Sequence, residues 1–171
     1  MNHNKNKPDI KKLSFFAIVA VALVIIVFSI VSPGKDEASK KKATGNNPVA
    51  KDTDIIIQTK EITEEPSFYP AVINGVDLEV IAVKASDGTI RTAFNTCQVC
   101  YNSGRGYYEV EGDKLVCQNC GNRFGINDIE VTKGGCNPVP ITSEYKTVSD
   151  ETITITKDLL AQATEIFADW K

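Results

Sequence analysis

Two identical cysteine pairs carry the chemistry of this chain: Cys97-Gln98-Val99-Cys100 and, after sixteen intervening residues, Cys117-Gln118-Asn119-Cys120. A C-x-x-C turn aims two sulfurs at one point, and a second such turn across a hairpin completes a tetrahedron of thiolates. Thiolates are soft ligands. They suit zinc or an iron–sulfur cluster and argue against calcium or magnesium, which take oxygen. Cys97, Cys100, Cys117 and Cys120 are therefore the candidate ligands. Two structural disulfides are the competing use of four cysteines in an exported domain. A thioredoxin-like motif fits less well, because neither pair opens a helix in a βαβ unit. Covalent c-type haem is excluded, since Tyr101 and Gly121 stand where C-x-x-C-H requires His. Cys136, in Gly134-Gly135-Cys136-Asn137-Pro138, is the odd thiol. It is a candidate fifth metal ligand, a resolving cysteine, an intermolecular disulfide partner or a buried loop anchor.

Residues 54–171 must position these sulfurs, and they read as one mainly β (α+β) domain. Residues 54–57 start a strand. Residues 76–83 alternate, with Val76, Leu78, Val80 and Ala82 on one face and Asp77 and Glu79 on the other. Asn74-Gly75 and Asp87-Gly88 are hairpin signals. Residues 89–95 form the strand that leads to the first pair. Residues 106–111 and 114–116, joined by Gly112-Asp113, form a hairpin feeding the second. Residues 152–155 are a short strand. Thr156 then caps a helix with Asp158 in its first turn. Leu159, Leu160, Ala163, Ile166, Phe167 and Trp170 fall on one stripe of it, which predicts core contact against the sheet. The architecture expected is a small Rieske-like or zinc-ribbon-like β domain with two metal knuckles and a C-terminal helix.

The N-terminal part is of another kind. Residues 1–12 are a basic arm. Residues 13–32 carry no charge, and twenty residues at about 1.5 Å rise each span roughly 30 Å, the thickness of the hydrocarbon core. The run exceeds a signal-peptide core and ends in Val31-Ser32-Pro33, a poor cleavage site, so it reads as an uncleaved single-pass anchor. Lysines flank it about equally, and the short N-terminal arm favours an extracytoplasmic domain. Residues 33–53 lack large apolar groups and read as a flexible linker. The chain is −3 overall, but residues 1–53 carry nine Lys against four Asp/Glu. Residues 54–171 carry ten Lys/Arg against eighteen Asp/Glu, and so acidic a domain makes no nucleic-acid surface.

Beyond the second pair come Gly121, Phe124 and the Gly/Pro-rich loop around Cys136. With the sixteen-residue spacing, this resembles the cluster-binding half of Rieske proteins. Those proteins hold one iron with two histidines. The sole histidine here is His3, on the far side of the apolar run, so any cluster has only cysteines as protein ligands. All-cysteine two-iron centres lie near roughly −400 mV, against roughly −150 to +300 mV for Rieske centres. A wider set of residues resembles the FtrD-like membrane iron–sulfur protein family in its short, single-anchor form. It comprises Phe68-Tyr69-Pro70, Ser86-Asp87-Gly88, Arg91-Thr92-Ala93-Phe94, both cysteine pairs, Gly106-Tyr107, Phe124 and Gly134-Gly135-Cys136-Asn137-Pro138. The resemblance implies a membrane electron carrier with an iron–sulfur cluster, of the [2Fe–2S] type, working in bacterial iron uptake beside an iron permease. Zinc in a structural interaction module is the alternative, and transient handling of iron or copper a third. No independent catalytic activity is expected, for no triad or carboxylate pair is evident. Tyr101, Arg105, Tyr107 and Tyr108 read as hairpin packing and surface charge rather than as a substrate pocket.

Overall fold

The computed structural model describes residues 47–171. The basic arm, the apolar run at 13–32 and linker residues 33–46 lie outside the described residues. Among those described, no helix is long and apolar enough to cross a membrane.

The centre of the fold is an antiparallel meander of β3 (Ser67–Ile73), β4 (Val76–Lys84) and β5 (Ile90–Cys97). Its first turn is Asn74-Gly75, both with positive φ, as the tightest hairpin turn demands. Two short strands complete this five-stranded sheet: β1 (Ala50–Lys51), parallel to β3, and β9 (Pro138–Pro140), antiparallel to β5. Ala50 and Lys51 lie within the stretch expected to be linker, yet they pair with Ala71 and Val72, and Asn47 donates to the Phe68 carbonyl at 2.8 Å. Backbone pairing needs no large side chain, so composition alone did not mark them. β9 is an edge strand, where proline is tolerated because no ladder donor is lost.

Two three-stranded sheets flank this one. The first is ordered β10 (Thr147–Val148), β11 (Thr152–Ile155), β2 (Ile55–Gln58). The second is ordered β6 (Tyr108–Glu111), β7 (Lys114–Cys117), β8 (Arg123–Gly125). The alternation of β4 sorts its side chains between two cores. Leu78, Val80 and Ala82 face one that includes Ile55, Ile57, Ile153, Ile155, Leu160 and Phe167. Ile81 and Val83 face the other, with Phe68, Tyr108, Leu115, Phe124, Cys97, Cys100 and Cys117. The expected polar face of β4 is thus half wrong. Asp77 is exposed, but Glu79 is covered, accepting from Asn95 Nδ2 at 2.7 Å and lying 3.6 Å from Lys171 Nζ.

Helix α1 (Lys157–Ala163) begins as expected, with Thr156 Oγ1 accepting from the Leu159 N–H at 3.3 Å. After Ala163 the chain tightens into a 3₁₀ turn, Thr164–Phe167. Phe167 packs edge-on against Phe94 and Trp170, at 5.9 and 5.3 Å between centroids, so the apolar stripe meets the sheet.

Candidate metal centre

Each cysteine pair starts where a strand stops. Cys97 ends β5, Gln98 and Val99 turn the chain, and Cys100 leads into a 3₁₀ turn closed by Gly104 at φ 70°. Cys117 ends β7, and Gly121, at φ 72°, lets the chain double back so that its N–H reaches the Cys117 carbonyl at 2.9 Å. The two knuckles are brought together by matching bonds. Cys97 N–H donates to the Gly106 carbonyl and Cys117 N–H to that of Asn122, while Gln118 N–H donates to Tyr107. Gly106 is required for this approach. A Cβ there would overlap the Cys100 carbonyl group, 2.7 Å from its carbon and 2.9 Å from Tyr101 Cα.

All five cysteines of the domain converge. The Sγ atoms of Cys97, Cys100 and Cys117 lie within 4.8 Å of one another, and so do those of Cys100, Cys120 and Cys136. Cys100 is common to both groups. Exposure grades outward: Cys97 is 0 % exposed, Cys117 1 % and Cys100 7 %, while Cys136 is half-buried and Cys120 exposed. All five are free thiols, so the two-disulfide alternative is not the arrangement found.

Backbone amides on both knuckles face the sulfurs. Burial pushes the Cys97 thiol up, but the Tyr108 hydroxyl and the N–H groups of Val99 and Cys100 outweigh it and hold the pKa below the ordinary thiol value. The Asn122 N–H does the same for Cys120. Burial raises Cys117 to about 12 despite amides from Cys120 and Asn119. Cys136 is also raised to about 12, first by its contact with Cys120. Asn119 favours the Cys100 thiolate, yet burial and the neighbouring cysteines leave that thiol raised. Cys100, Cys117 and Cys136, raised by burial and neighbouring sulfur, would have to give up their protons to a bound cation, since ligands must be deprotonated to bind.

Polar side chains beneath the sulfurs fasten the knuckles to the sheet. Tyr108, 1 % exposed, donates from its hydroxyl to the Cys136 carbonyl at 2.9 Å. The same carbonyl accepts from Asn122 Nδ2 at 2.7 Å. Asn95, wholly buried, accepts from Tyr108 N–H at 2.8 Å and donates to Glu79, while its carbonyl takes the Trp170 indole N–H at 2.6 Å. On the far side of the loop that carries Cys136, Glu130 accepts from Thr92 and from Lys146, whose side chain is 4 % exposed. Tyr108 was read as hairpin packing. The Gly112-Asp113 turn already fixes its role, because Glu111 opposite Lys114 sets Tyr108 opposite Cys117.

The donor set fits a soft metal or an iron–sulfur cluster: every group is sulfur, with no carboxylate or imidazole among them, and the inner thiols are dry. Fold and site together define a thiolate metal protein on a mainly β scaffold. Residues 62–167 match the family model described as "Membrane iron-sulfur containing protein FtrD-like", and the chain belongs to that family. Membership supports an iron–sulfur cofactor and association with a membrane. Among solved structures, the quaternary ammonium Rieske monooxygenase CntA, in complex with an inhibitor, is similar over 66 % of this chain at 14 % identity and a TM-score of 0.39. The similar region spans about a third of that enzyme, 33 % of its chain. A search of curated proteins finds no match.

Proposed function

We propose that this chain is a membrane-anchored electron carrier whose two-iron, two-sulfide centre is held by Cys97, Cys100, Cys117 and Cys120. The observation that carries the reading is the convergence of these thiols at one rim, with dry sulfurs inside and an exposed sulfur outside. One-electron exchange needs a centre insulated from water on most sides and close to the surface on one. It needs no proton donor or nucleophile. Cys97 and Cys117 serve the buried side, Cys100 and Cys120 the outer side. A bound cluster would supply the one-electron couple, and the Tyr108 hydroxyl with the Val99 and Cys100 amides would favour the anionic sulfur of Cys97 that holds it. The apolar run at 13–32 tethers the domain at the outer face of the membrane. The chain's place would be in iron uptake, as the sequence resemblance implies, with an iron permease or another membrane component of iron transport as the partner.

The test is the full chain, purified in detergent without oxygen. Iron, acid-labile sulfide, visible absorption and EPR are measured on one sample. A brown protein with matched iron and sulfide and a signal on reduction is the expected result. A colourless protein with one tightly held zinc refutes electron transfer and leaves a structural interaction module.

A further inference from the structure

We propose that Cys120 and Cys136 compete for a single ligand position on the outer side of the centre, so that five thiols serve four places. This rests on the iron–sulfur reading above and adds to it how its exposed corner is held. Cys97, Cys100 and Cys117 form one close group and are all buried, so three positions are fixed. The fourth faces outward. Cys120 and Cys136 both reach Cys100, and each other, within the same 4.8 Å. Neither is fully enclosed, Cys120 being exposed and Cys136 half-buried.

The seat of Cys136 is built rather than incidental. Its carbonyl is held by Tyr108 from beneath and by Asn122 from the second knuckle, while the Gly134 N–H donates to Gln98 Oε1 of the first at 3.2 Å. The loop is therefore fastened to both knuckles through its backbone, and the thiol itself meets only the sulfurs of Cys100 and Cys120. That leaves the sulfur able to enter or leave the position without disturbing the loop. Exchange is a proton transfer and not a redox step. The iron–Sγ bond to Cys120 breaks as that to Cys136 forms, Cys136 gives up its thiol proton on entering, and the departing Cys120 thiolate takes one up. The electron count does not change. A centre so served survives loss of its most exposed ligand to alkylation or oxidation.

The test uses the full chain in detergent, reconstituted without oxygen with ferrous iron and sulfide. It compares the wild type with Cys97→Ala, Cys120→Ala, Cys136→Ala and the Cys120→Ala/Cys136→Ala double variant. The expected result is loss of iron and sulfide in Cys97→Ala and in the double variant. Both outer single variants retain them, each with its own EPR signal. A Cys120→Ala chain as empty as Cys97→Ala overturns the competition while the loaded wild type upholds the cluster. A Cys136→Ala chain that is empty overturns it too, making Cys136 a fixed ligand. A wild type that takes up no iron and sulfide overturns both readings. Should a variant fail to fold by circular dichroism, brief alkylation of the loaded wild type decides. Label divided between Cys120 and Cys136 supports competition, and label on one of them alone overturns it.

Discussion

Tyr108→Phe removes one oxygen from beneath the centre and leaves the packing intact, because Phe fills the same buried space. The lost hydroxyl has a single proton, shared between the Cys136 carbonyl and the Cys97 sulfur, so its two effects are upper values rather than independent sums. Its bond to the Cys136 carbonyl is worth about 0.5–1.5 kcal/mol net. That carbonyl keeps its bond from Asn122, so the loss belongs at the lower end and lowers Tm by about 2–4 °C for a domain of this size. The second effect is electronic. The hydroxyl favours the Cys97 thiolate, and a hydrogen bond to a charged group is worth about 1.5–3 kcal/mol. The added electron is spread over the centre, so about a third of this, roughly 0.5–1 kcal/mol, distinguishes reduced from oxidised. At about 59 mV and 1.4 kcal/mol per tenfold, the potential of the variant falls by about 20–45 mV. Dye-equilibrated redox titration of the loaded protein, monitored by EPR, measures it. A potential that stays put or rises, in a variant with full iron content, refutes the assigned role of Tyr108.

Gly106→Ala forces a methyl onto the Cys100 carbonyl, which is backbone and cannot swing away, so it costs about 1–3 kcal/mol and lowers metal occupancy on anaerobic loading. Gly125→Ala is the control, since its clash is with the movable Asp128 side chain, and occupancy there stays at the wild-type level. Asn95→Ala strands the Tyr108 N–H in the interior, at about 1–3 kcal/mol for that unsatisfied group, and leaves Glu79 to Lys171 alone, which urea unfolding reads as a lower midpoint with unchanged slope. Asp87, held by hydrogen bonds from Thr89 and an ion pair with Arg91, titrates near about 2 in the folded protein. Its contribution is complete above the unfolded carboxylate value near roughly 3.9 and is lost as pH falls through the folded one. NMR titration of its carboxyl carbon shows that midpoint, and Thr89→Val moves it up.

Much of this arrangement is legible in the chain. The cysteine spacing marks the centre, Asn74-Gly75 and Gly112-Asp113 mark hairpins, and Thr156 marks the start of the helix, each through a local rule that tertiary packing does not override. β1 and β9 are not legible, because two or three residues pairing at a sheet edge leave no periodic signal, and prolines at 138 and 140 argue against a strand anywhere but an edge. The second half of β4 is apolar on both faces, and Ile81 and Val83 show only in three dimensions that a second sheet covers them. Which amides meet which sulfurs is not legible either. It depends on how each knuckle turns, and the donors are Val99, Cys100, Asn119, Cys120 and Asn122.

The prolines of β9 also bear on solubility. Ile141 N–H turns inward to the Thr92 carbonyl at 3.0 Å, so alternation turns the backbone nitrogens of Pro138 and Pro140 outward, where neither carries a hydrogen. The free border of the five-stranded sheet next to the thiols is thus stripped of donors, and a stray strand from another molecule cannot zip onto it. A domain that must leave reactive sulfur at its surface is spared a second adhesive feature beside it. Replacing both prolines by threonine would restore those donors and favour fibrous self-association.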